Sequence, residues 1–365
     1  MNRFADDDRV AFFDMLREGA KRAQSVAGYE DHDFEVAGRP VRLRIAGAGF
    51  AGRLPTAFQH LGQPSDGDPA LTIQAWDDAS TGTSLPLLLQ RYLHFVEMHC
   101  FEYLGPRNEM LDFHGERVRA IMHLDPVIIS VFDPQRSLAL YWTPDVERIP
   151  VWDWGTPLRI ILNEWAKLHG MFLVHCGAVG TPAGGVLLAG KSGSGKSTAA
   201  LACLDHGRLA YAADDYALLD LSGPVPMVHS LYSSAKLKGA GDFKRFAHLL
   251  PLVANRDRIN QEKALIFLAE SHARRVTEGF PLRAIVVPRI SGQPQSRFEP
   301  ASAMAALKAL APSTLLQLPG VGSQTMASLS TLVRRVPAYM LHSGTDMNGL
   351  SDCIESLLQD AGTET

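Results

Sequence analysis

Residues 185–215 read GVLLAGKSGSGKSTAALACLDHGRLAYAADD, and the class of the structure follows from this stretch. It begins with a strand-like apolar segment, continues with a strong helix-forming segment at 196–206, and ends with a second short apolar segment. Between the first two segments, residues 190–197 match G-x-x-x-x-G-K-[ST] at every defined position. A glycine-rich loop on a strand-to-helix turn indicates an α/β domain with a phosphate-binding loop, or P-loop.

Each position of the loop has a physical role. The glycines let backbone N–H groups approach an anion without obstruction by a Cβ atom, and the following helix directs its positive end toward the same anion. We expect Lys196 to contact the β- and γ-phosphates and the Ser197 hydroxyl to bind Mg²⁺. The predicted nucleotide-binding residues are Gly190, Ser192, Gly193, Ser194, Gly195, Lys196, Ser197 and Thr198. A chance glycine-rich turn is the alternative, and the strand and helix that flank the loop argue against it.

Two adjacent aspartates, Asp214 and Asp215, end the short apolar segment LAYAA that follows the loop helix. A carboxylate is a preferred ligand for Mg²⁺, and a second carboxylate can accept the proton of an attacking hydroxyl. Adjacent like charges raise the pKa of one carboxyl, which suits a base that works near neutral pH. A solvated turn or a helix cap is the alternative, and the phosphate loop one helix upstream disfavours it.

Composition excludes several classes of protein. The 365 residues carry a net charge of −4, which gives no electrostatic reason to bind nucleic acid or an anionic membrane. The N-terminal segment MNRFADDDRVAFFDML is acidic where a signal peptide would be basic, and no apolar run is long enough to span a bilayer. We therefore expect a soluble cytoplasmic protein without nucleic-acid or membrane partners; the sequence leaves homo-oligomerisation open.

Potential metal ligands elsewhere in the chain form no recognisable motif. The cysteines are far apart and form no C-x-x-C pair, so reduced, mostly buried thiols are expected at Cys100, Cys176, Cys203 and Cys353. In HFVEMHC, His94 and His99 are five residues apart and do not share one helical face. We predict no metal site there.

The order of the elements predicts two domains. Residues 1–155 read as a helix near 8–24, a hairpin around the G-R-P of DFEVAGRPVRLRIAG, further strands and one later helix, which indicates a β-rich α+β domain. Residues 156–365 alternate strands and helices, with the strand MFLVHCGAV before the loop and a helix near 260–271 after it. The second domain is therefore predicted to be α/β.

The sequence resembles the HPr kinase/phosphorylase family over residues 156–220, and more loosely the phosphoenolpyruvate carboxykinases. The loop GKSGSGKS and the segment DHGRLAYAADD carry the resemblance, and His175 lies fifteen residues before Gly190, where the family has a histidine on the strand that enters the loop. Thr198 stands where the family has an acidic residue, and the family's later E-x-R-G signature has no counterpart. The chain is more similar to the HPr-kinase-like proteins of peptide-modifying gene sets, which include kinases of lasso-peptide precursors.

This resemblance implies a C-terminal P-loop kinase domain of the HPr kinase type. It implies catalytic roles for Asp214, His175 and Lys196: Asp214 would be the base that acts on a serine or threonine hydroxyl, and His175 would lie near the transferred phosphate or orient the base. Asp215 would be a magnesium ligand together with Ser197. The roles of the two aspartates are interchangeable at this level.

The sequence thus predicts a kinase that uses ATP and Mg²⁺ to phosphorylate a Ser/Thr hydroxyl of a protein or peptide, which the N-terminal domain would recognise. A small-molecule kinase of the shikimate or gluconate type and a non-catalytic nucleotide-binding module are the open alternatives. The absence of N-K-x-D after the loop disfavours a GTPase. Cations expected either to stabilise the transferred group or to lie on a solvated face are Lys236, Lys238, Arg256, Arg258 and Lys263.

Overall fold

The computed structural model describes residues 5–64, 67–318 and 322–363, and within them the chain forms two compact units. The first unit contains the described parts of Met1–Thr56 and Gly62–His169, together with Leu318. The second contains Ala57–Leu61 and the described parts of Gly170–Gln317 and Val321–Thr365. The sequence interpretation placed a domain boundary between residues 155 and 156; in the structure, the helix Arg159–Leu168 packs on a strand of the first unit.

The first unit combines one six-stranded sheet with helices. Its strands are β1 (Tyr29–Val36), β2 (Arg39–Ala46), β3 (Leu71–Asp77), β4 (Arg119–Leu124), β5 (Val127–Asp133) and β6 (Leu138–Thr143). Its helices are α1 (Asp6–Ala27), α2 (Asp78–Thr81), α3 (Leu87–Met98), α4 (Cys100–Tyr103), α5 (Val151–Gly155) and α6 (Arg159–Leu168). The strand order is β1-β2-β3-β6-β5-β4. The β2–β3 and β3–β6 pairs are parallel, and the β1–β2 hairpin forms at the predicted G-R-P turn.

Helix α1 covers this sheet because its apolar residues recur at helical spacing. Phe12, Leu16, Ala20 and Ala23 form one stripe and are all buried. They pack with Trp76 of β3 in the core of the first unit. The predicted first helix is therefore confirmed.

The second unit is a layered α/β structure. Its strands are β7 (Met171–His175), β8 (Gly177–Thr181), β9 (Gly184–Leu188), β10 (Ala210–Ala213), β11 (Tyr216–Asp220), β12 (Met227–Ser230), β13 (Ser234–Leu237), β14 (Ala264–Phe267), β15 (Gly279–Ile290), β16 (Arg297–Ala301) and β17 (Ala338–Ser343). Its helices are α7 (Lys196–His206), α8 (Gly239–Arg245), α9 (Ala303–Gln317), α10 (Ser323–Arg335) and α11 (Met347–Thr363). The mixed α/β class predicted from the sequence is confirmed.

The main sheet of this unit has the order β10-β8-β9-β15-β12-β11-β7, and β17 also pairs with β15 and β16. Strands β9 and β17 are both parallel to β15. Residues of β9 and the residue after it alternate between two cores. Val186 and Leu188 pack with helices α7 and α11, whereas Leu187 and the following Ala189 pack with α9 and α10. Burial on both faces explains why GVLLA is apolar at every position after its glycine.

The strand pairing is interrupted in two chain segments that lie next to each other. Cys176 separates β7 from β8, and Asp214 and Asp215 separate β10 from β11. Because β7 pairs with β11 and β8 pairs with β10, the two breaks face each other, and the Cys176 N–H donates a 3.1 Å hydrogen bond to the Asp215 carbonyl oxygen. The segment predicted as a single strand, MFLVHCGAV, is therefore two strands, and the segment LAYAADDYALLDL is divided in the same way.

The helix predicted near 260–271 is wrong. Residues 264–267 form β14, which pairs antiparallel with β13. The run ALIF is apolar at all four positions, and so short an apolar run has no periodicity that distinguishes a strand from a helix.

None of the helices in the described parts of the chain combines the length and apolar character needed to cross a membrane.

Candidate active site

The glycine-rich loop connects the carboxyl end of β9 to the amino end of α7, as the motif predicts. Gly193 and Gly195 have φ angles of 80° and 102°, in the left-handed region that favours glycine. Gly195 is the N-cap of α7, so the free N–H groups of the first helical turn are directed into the loop. This arrangement of amides suits an anion.

Lys196, the first residue of α7, extends across the loop. Its Nζ donates hydrogen bonds to the carbonyl oxygens of Gly190 at 2.7 Å and Lys191 at 3.3 Å. Burial lowers the pKa of Lys196, and the negative charges of Asp214 and Asp215 act in the opposite direction. The lysine of the loop and the two aspartates therefore belong to one electrostatic cluster.

Asp214 is the more deeply buried of the two aspartates, with 3% exposure. Its Oδ2 accepts a 3.2 Å hydrogen bond from the Lys236 backbone N–H, and its Oδ1 has no hydrogen-bond partner among the described residues. Burial and the adjacent Asp215 raise the pKa of Asp214 to about 6, although the nearby Ser197 hydroxyl opposes this rise. Asp214 is therefore a carboxyl group that changes its protonation state near neutral pH, beside the loop serine.

Asp215 has the opposite electrostatic character. Burial alone would raise its pKa, but the Lys236 ammonium, which forms an ion pair and a hydrogen bond with its Oδ2, lowers that pKa well below the ordinary value. The Oδ1 of Asp215 lies 3.8 Å from the Nε2 of His175. The pKa values of the two adjacent carboxyl groups are thus displaced in opposite directions. Such a difference lets two neighbouring carboxyl groups take different roles in proton transfer.

His175 is the last residue of β7, not a residue of β9, the strand that enters the loop. The GTPAGG turn makes a β8–β9 hairpin, so the fifteen residues from His175 to Gly190 span two strands rather than one. The pairing of β7 with β11 puts His175 opposite Tyr216, beside the acid pair. Its ring packs edge-on against Tyr216 with centroids 5.4 Å apart, and its backbone N–H donates to Thr314 Oγ1 at 3.1 Å.

The imidazole of His175 is neutral at physiological pH. Burial is the main cause: it lowers the pKa of His175 to about 4, and the nearby Asp215 charge only partly compensates. The Nδ1 atom is buried and has no hydrogen-bond partner in the described part of the chain. A neutral ring with one free nitrogen can orient a neighbouring group by hydrogen bonding.

Two of the five downstream cations lie in this electrostatic cluster. Lys236 of β13 is buried and contacts both aspartates, and the exposed Lys263 acts electrostatically on Asp215, His175 and Lys196. The other three have different surroundings. The Lys238 N–H bonds Asp242 at the start of α8, Arg256 bonds the Pro251 carbonyl oxygen, and Arg258 pairs with Glu262 at 2.8 Å.

The sequence interpretation overlooked Tyr216 and Cys176. Tyr216 packs edge-to-face against His175, and its hydroxyl donates to Gln317 at 3.2 Å, which fixes the ring. The buried Cys176 supplies the backbone link to Asp215. The position of Tyr216 directly after the aspartates could have identified it as a candidate site residue. The sequence around Cys176 gives no such indication, because the role of this residue depends on a backbone contact between distant segments.

The donor set fits Mg²⁺, a cation that prefers oxygen ligands and that substrate phosphates help to coordinate. The described residues contain no group of three His, Cys, Asp or Glu side chains that could hold a metal ion alone. They do bring the Ser197 hydroxyl beside Asp214, whose Oδ1 is buried without a partner in the same region of the structure. A serine hydroxyl and a carboxylate next to a phosphate loop suit a metal that is bound together with a nucleotide.

Neither a family model nor a curated protein matches this sequence. Among solved structures, the HPr(Ser) kinase/phosphatase from Coxiella burnetii is similar at 14% sequence identity and a TM-score of 0.28, over 53% of this chain and 97% of that chain. A similarity this low does not establish a shared fold or activity. The relationship to the HPr kinase/phosphorylase family and the P-loop kinase type of the second unit stay predictions.

Proposed function

We propose that the protein is a kinase that uses ATP and Mg²⁺ to phosphorylate a serine or threonine hydroxyl of a protein or peptide. One observation carries the proposal: Asp214, with a pKa raised to about 6, lies beside Ser197 at the end of a glycine-rich loop. In this proposal Asp214 is the candidate base, next to the phosphate end of a nucleotide site.

The loop would hold the triphosphate. Its amides and the first turn of α7 offer N–H donors, and Lys196 can exchange the carbonyl oxygens of Gly190 and Lys191 for phosphate oxygens. Ser197 and one aspartate would hold Mg²⁺, which neutralises charge on the phosphates when it is bound.

The acid pair would act on the acceptor. In the proposed step the acceptor oxygen forms a bond to the γ-phosphorus, the bond between that phosphorus and the β,γ-bridging oxygen breaks, and ADP leaves. The hydroxyl proton moves to Asp214, whose raised pKa favours its acceptance. Lys236 keeps Asp215 ionised, and His175, 3.8 Å from Asp215, orients that carboxylate.

The two aspartate roles can also be exchanged. The proximity of Ser197 and Asp214 favours Asp214 as the carboxylate on the magnesium side, with Asp215 and His175 acting on the hydroxyl. The raised pKa of Asp214 and the ion pair that holds Asp215 favour the first assignment, which we adopt.

The test combines labelled ATP, Mg²⁺ and a library of Ser/Thr peptides with separate measurements of nucleotide binding. We expect label on a peptide hydroxyl, and we expect Asp214→Asn to abolish transfer while ATP still binds. Asp352→Asn, which changes an exposed aspartate of α11, is the matched control and should keep full activity.

Other outcomes would identify the alternatives. Transfer only to small alcohols would indicate a small-molecule kinase, and tight ATP binding without transfer to any acceptor would indicate a nucleotide-binding module. If Asp214→Asn leaves transfer intact and Asp215→Asn abolishes it, the roles of the two aspartates are exchanged.

A further inference from the structure

A cavity of about 770 Å³ lies at the carboxyl ends of β15 and β17 in the second unit. This volume is within the range of small-molecule sites in proteins. Its lining includes Arg289, Ile290, Gln293, Gln295, Arg297 and His342. None of these residues belongs to the phosphate loop or the acid pair.

The cavity adjoins the phosphate loop. Strands β9, β15 and β17 are parallel, so their carboxyl ends meet at one edge of the sheet, where open α/β sheets bind ligands. A Cβ atom on Gly195 would lie 3.8 Å from Ile290 Cγ1, so a residue of the cavity lining packs directly against the loop.

The strand register places the acid pair and the cavity on opposite sides of β9. Ala213, next to Asp214, pairs with Ala178 of β8, and Gly177 of β8 pairs with Leu188 at the carboxyl end of β9. The segment that carries Asp214 and Asp215 follows β10, which is separated from β9 by β8. The cavity lies at β15 and β17, on the other side of β9. A triphosphate whose terminal group faces the acid pair therefore extends its nucleoside end toward the cavity.

The lining combines flat cationic groups with amides and apolar surface. Arg289, His342 and Arg297 are direct cross-strand partners on β15, β17 and β16. Arg297 and His342 both contact Glu299, whereas the exposed Arg289 forms no side-chain hydrogen bond or ion pair within the described ranges. A free guanidinium can stack on a nucleobase, and the glutamine amides can bond to its edge. Ile290, 66% exposed, adds apolar surface.

The walls of the cavity are built into the fold. The turn after β15 is tied to the turn after β17: Ser291 N–H donates to the Ser343 carbonyl oxygen at 3.0 Å and Thr345 N–H to that of Gln293 at 2.9 Å. Gly344 N–H also donates to Ser296 Oγ at 2.9 Å. A Cβ atom on Gly344 would lie only 2.3 Å from the Pro294 carbonyl oxygen, so the two turns pack as closely as a glycine permits.

We infer that this cavity binds the nucleoside part of the nucleotide, with Arg289 stacking on the base. The inference rests on the proposed function, because it uses the direction of a triphosphate held by the loop. An anionic group of the acceptor is the competing occupant, and the experiment separates the two.

The experiment measures equilibrium binding of ATP and of inorganic tripolyphosphate to the full chain, without an acceptor. We expect Arg289→Ala to weaken ATP binding about tenfold, as expected for loss of one stacking contact, and to change tripolyphosphate binding less than about twofold. Lys196→Ala should weaken the binding of both ATP and tripolyphosphate. Gln293→Ala is a second cavity variant that should reproduce the ATP-selective loss. Arg274→Ala, an exposed arginine elsewhere in the unit, is the control and should change neither affinity.

Each contrary result has a distinct meaning. ATP affinity unchanged in both cavity variants, or equal losses for the two ligands, would overturn this inference and leave the kinase proposal standing. Normal ATP binding with the expected selectivity but no phosphoryl transfer would reject the kinase and keep the nucleoside site. A wild-type protein that binds neither ligand would overturn both.

Discussion

The ammonium of Lys236 is paired with the Asp215 carboxylate, and the backbone N–H of the same lysine donates to Asp214 at 3.2 Å. Strand β13 therefore supplies both a positive charge and a hydrogen bond to two adjacent acids, of which Asp214 is buried and Asp215 is half-buried. One residue thus stabilises the carboxylate pair and separates the pKa values of its members.

Replacing this lysine should destabilise the protein. Lys236→Met leaves the half-buried Asp215 without its cation. Loss of one partner from a largely buried pair costs about 3 kcal/mol of unfolding free energy, the lower end of the range for such pairs. Urea denaturation at pH 7, followed by far-UV circular dichroism, measures the change. The double variant Lys236→Met, Asp215→Asn removes the unpaired charge and should recover a large part of the loss; a single variant as stable as the wild type would contradict the ion-pair role.

The pH dependence of phosphoryl transfer should show the titration of Asp214. A base has to be deprotonated, and the pKa of this carboxyl is raised to about 6, so kcat/KM should decrease as the pH falls below that value. The expected slope is about tenfold per pH unit, since one proton is bound. Initial rates from pH 5 to 8, at subsaturating acceptor, test this. A profile that stays flat down to pH 5 would remove Asp214 from the base role.

His175 should contribute by position rather than by titration. Its pKa is lowered to about 4, so the ring is neutral throughout the range in which Asp214 titrates. We expect His175→Asn to lower kcat about tenfold to a hundredfold through loss of orientation, with unchanged ATP affinity. In this variant, the decrease of kcat/KM at acidic pH should begin at the same pH as in the wild type. If that decrease disappeared, the histidine itself would be the titrating base.

The local part of the site could be predicted from the sequence. The strand, glycine loop and helix of 185–206 are adjacent in the chain, and each is determined by residues near it. Only a short connection and the short strand β10 separate the acid pair from helix α7, which keeps the two aspartates near the loop. Motif and periodicity were sufficient for these elements.

The remaining features depend on contacts between distant segments. Lys236 reaches the acids from β13, whose partner β14 lies in the region that the sequence pattern assigned to a helix. His175 lies two strands before the loop because a hairpin intervenes, and only sheet pairing with Tyr216 shows where the ring goes. The cavity beside β15 and β17 is formed by two turns about fifty residues apart in the chain. No local pattern encodes such a pairing.

The facing interruptions at Cys176 and at Asp214–Asp215 restrict how this protein can change in length. Removing one residue from either segment would turn every later side chain of that strand to the opposite face of its sheet. We therefore expect single-residue insertions and deletions beside the aspartates to be poorly tolerated. The exposed turn at Pro182 and Ala183 has no such restriction. Residues added in this turn should leave the candidate active site unchanged.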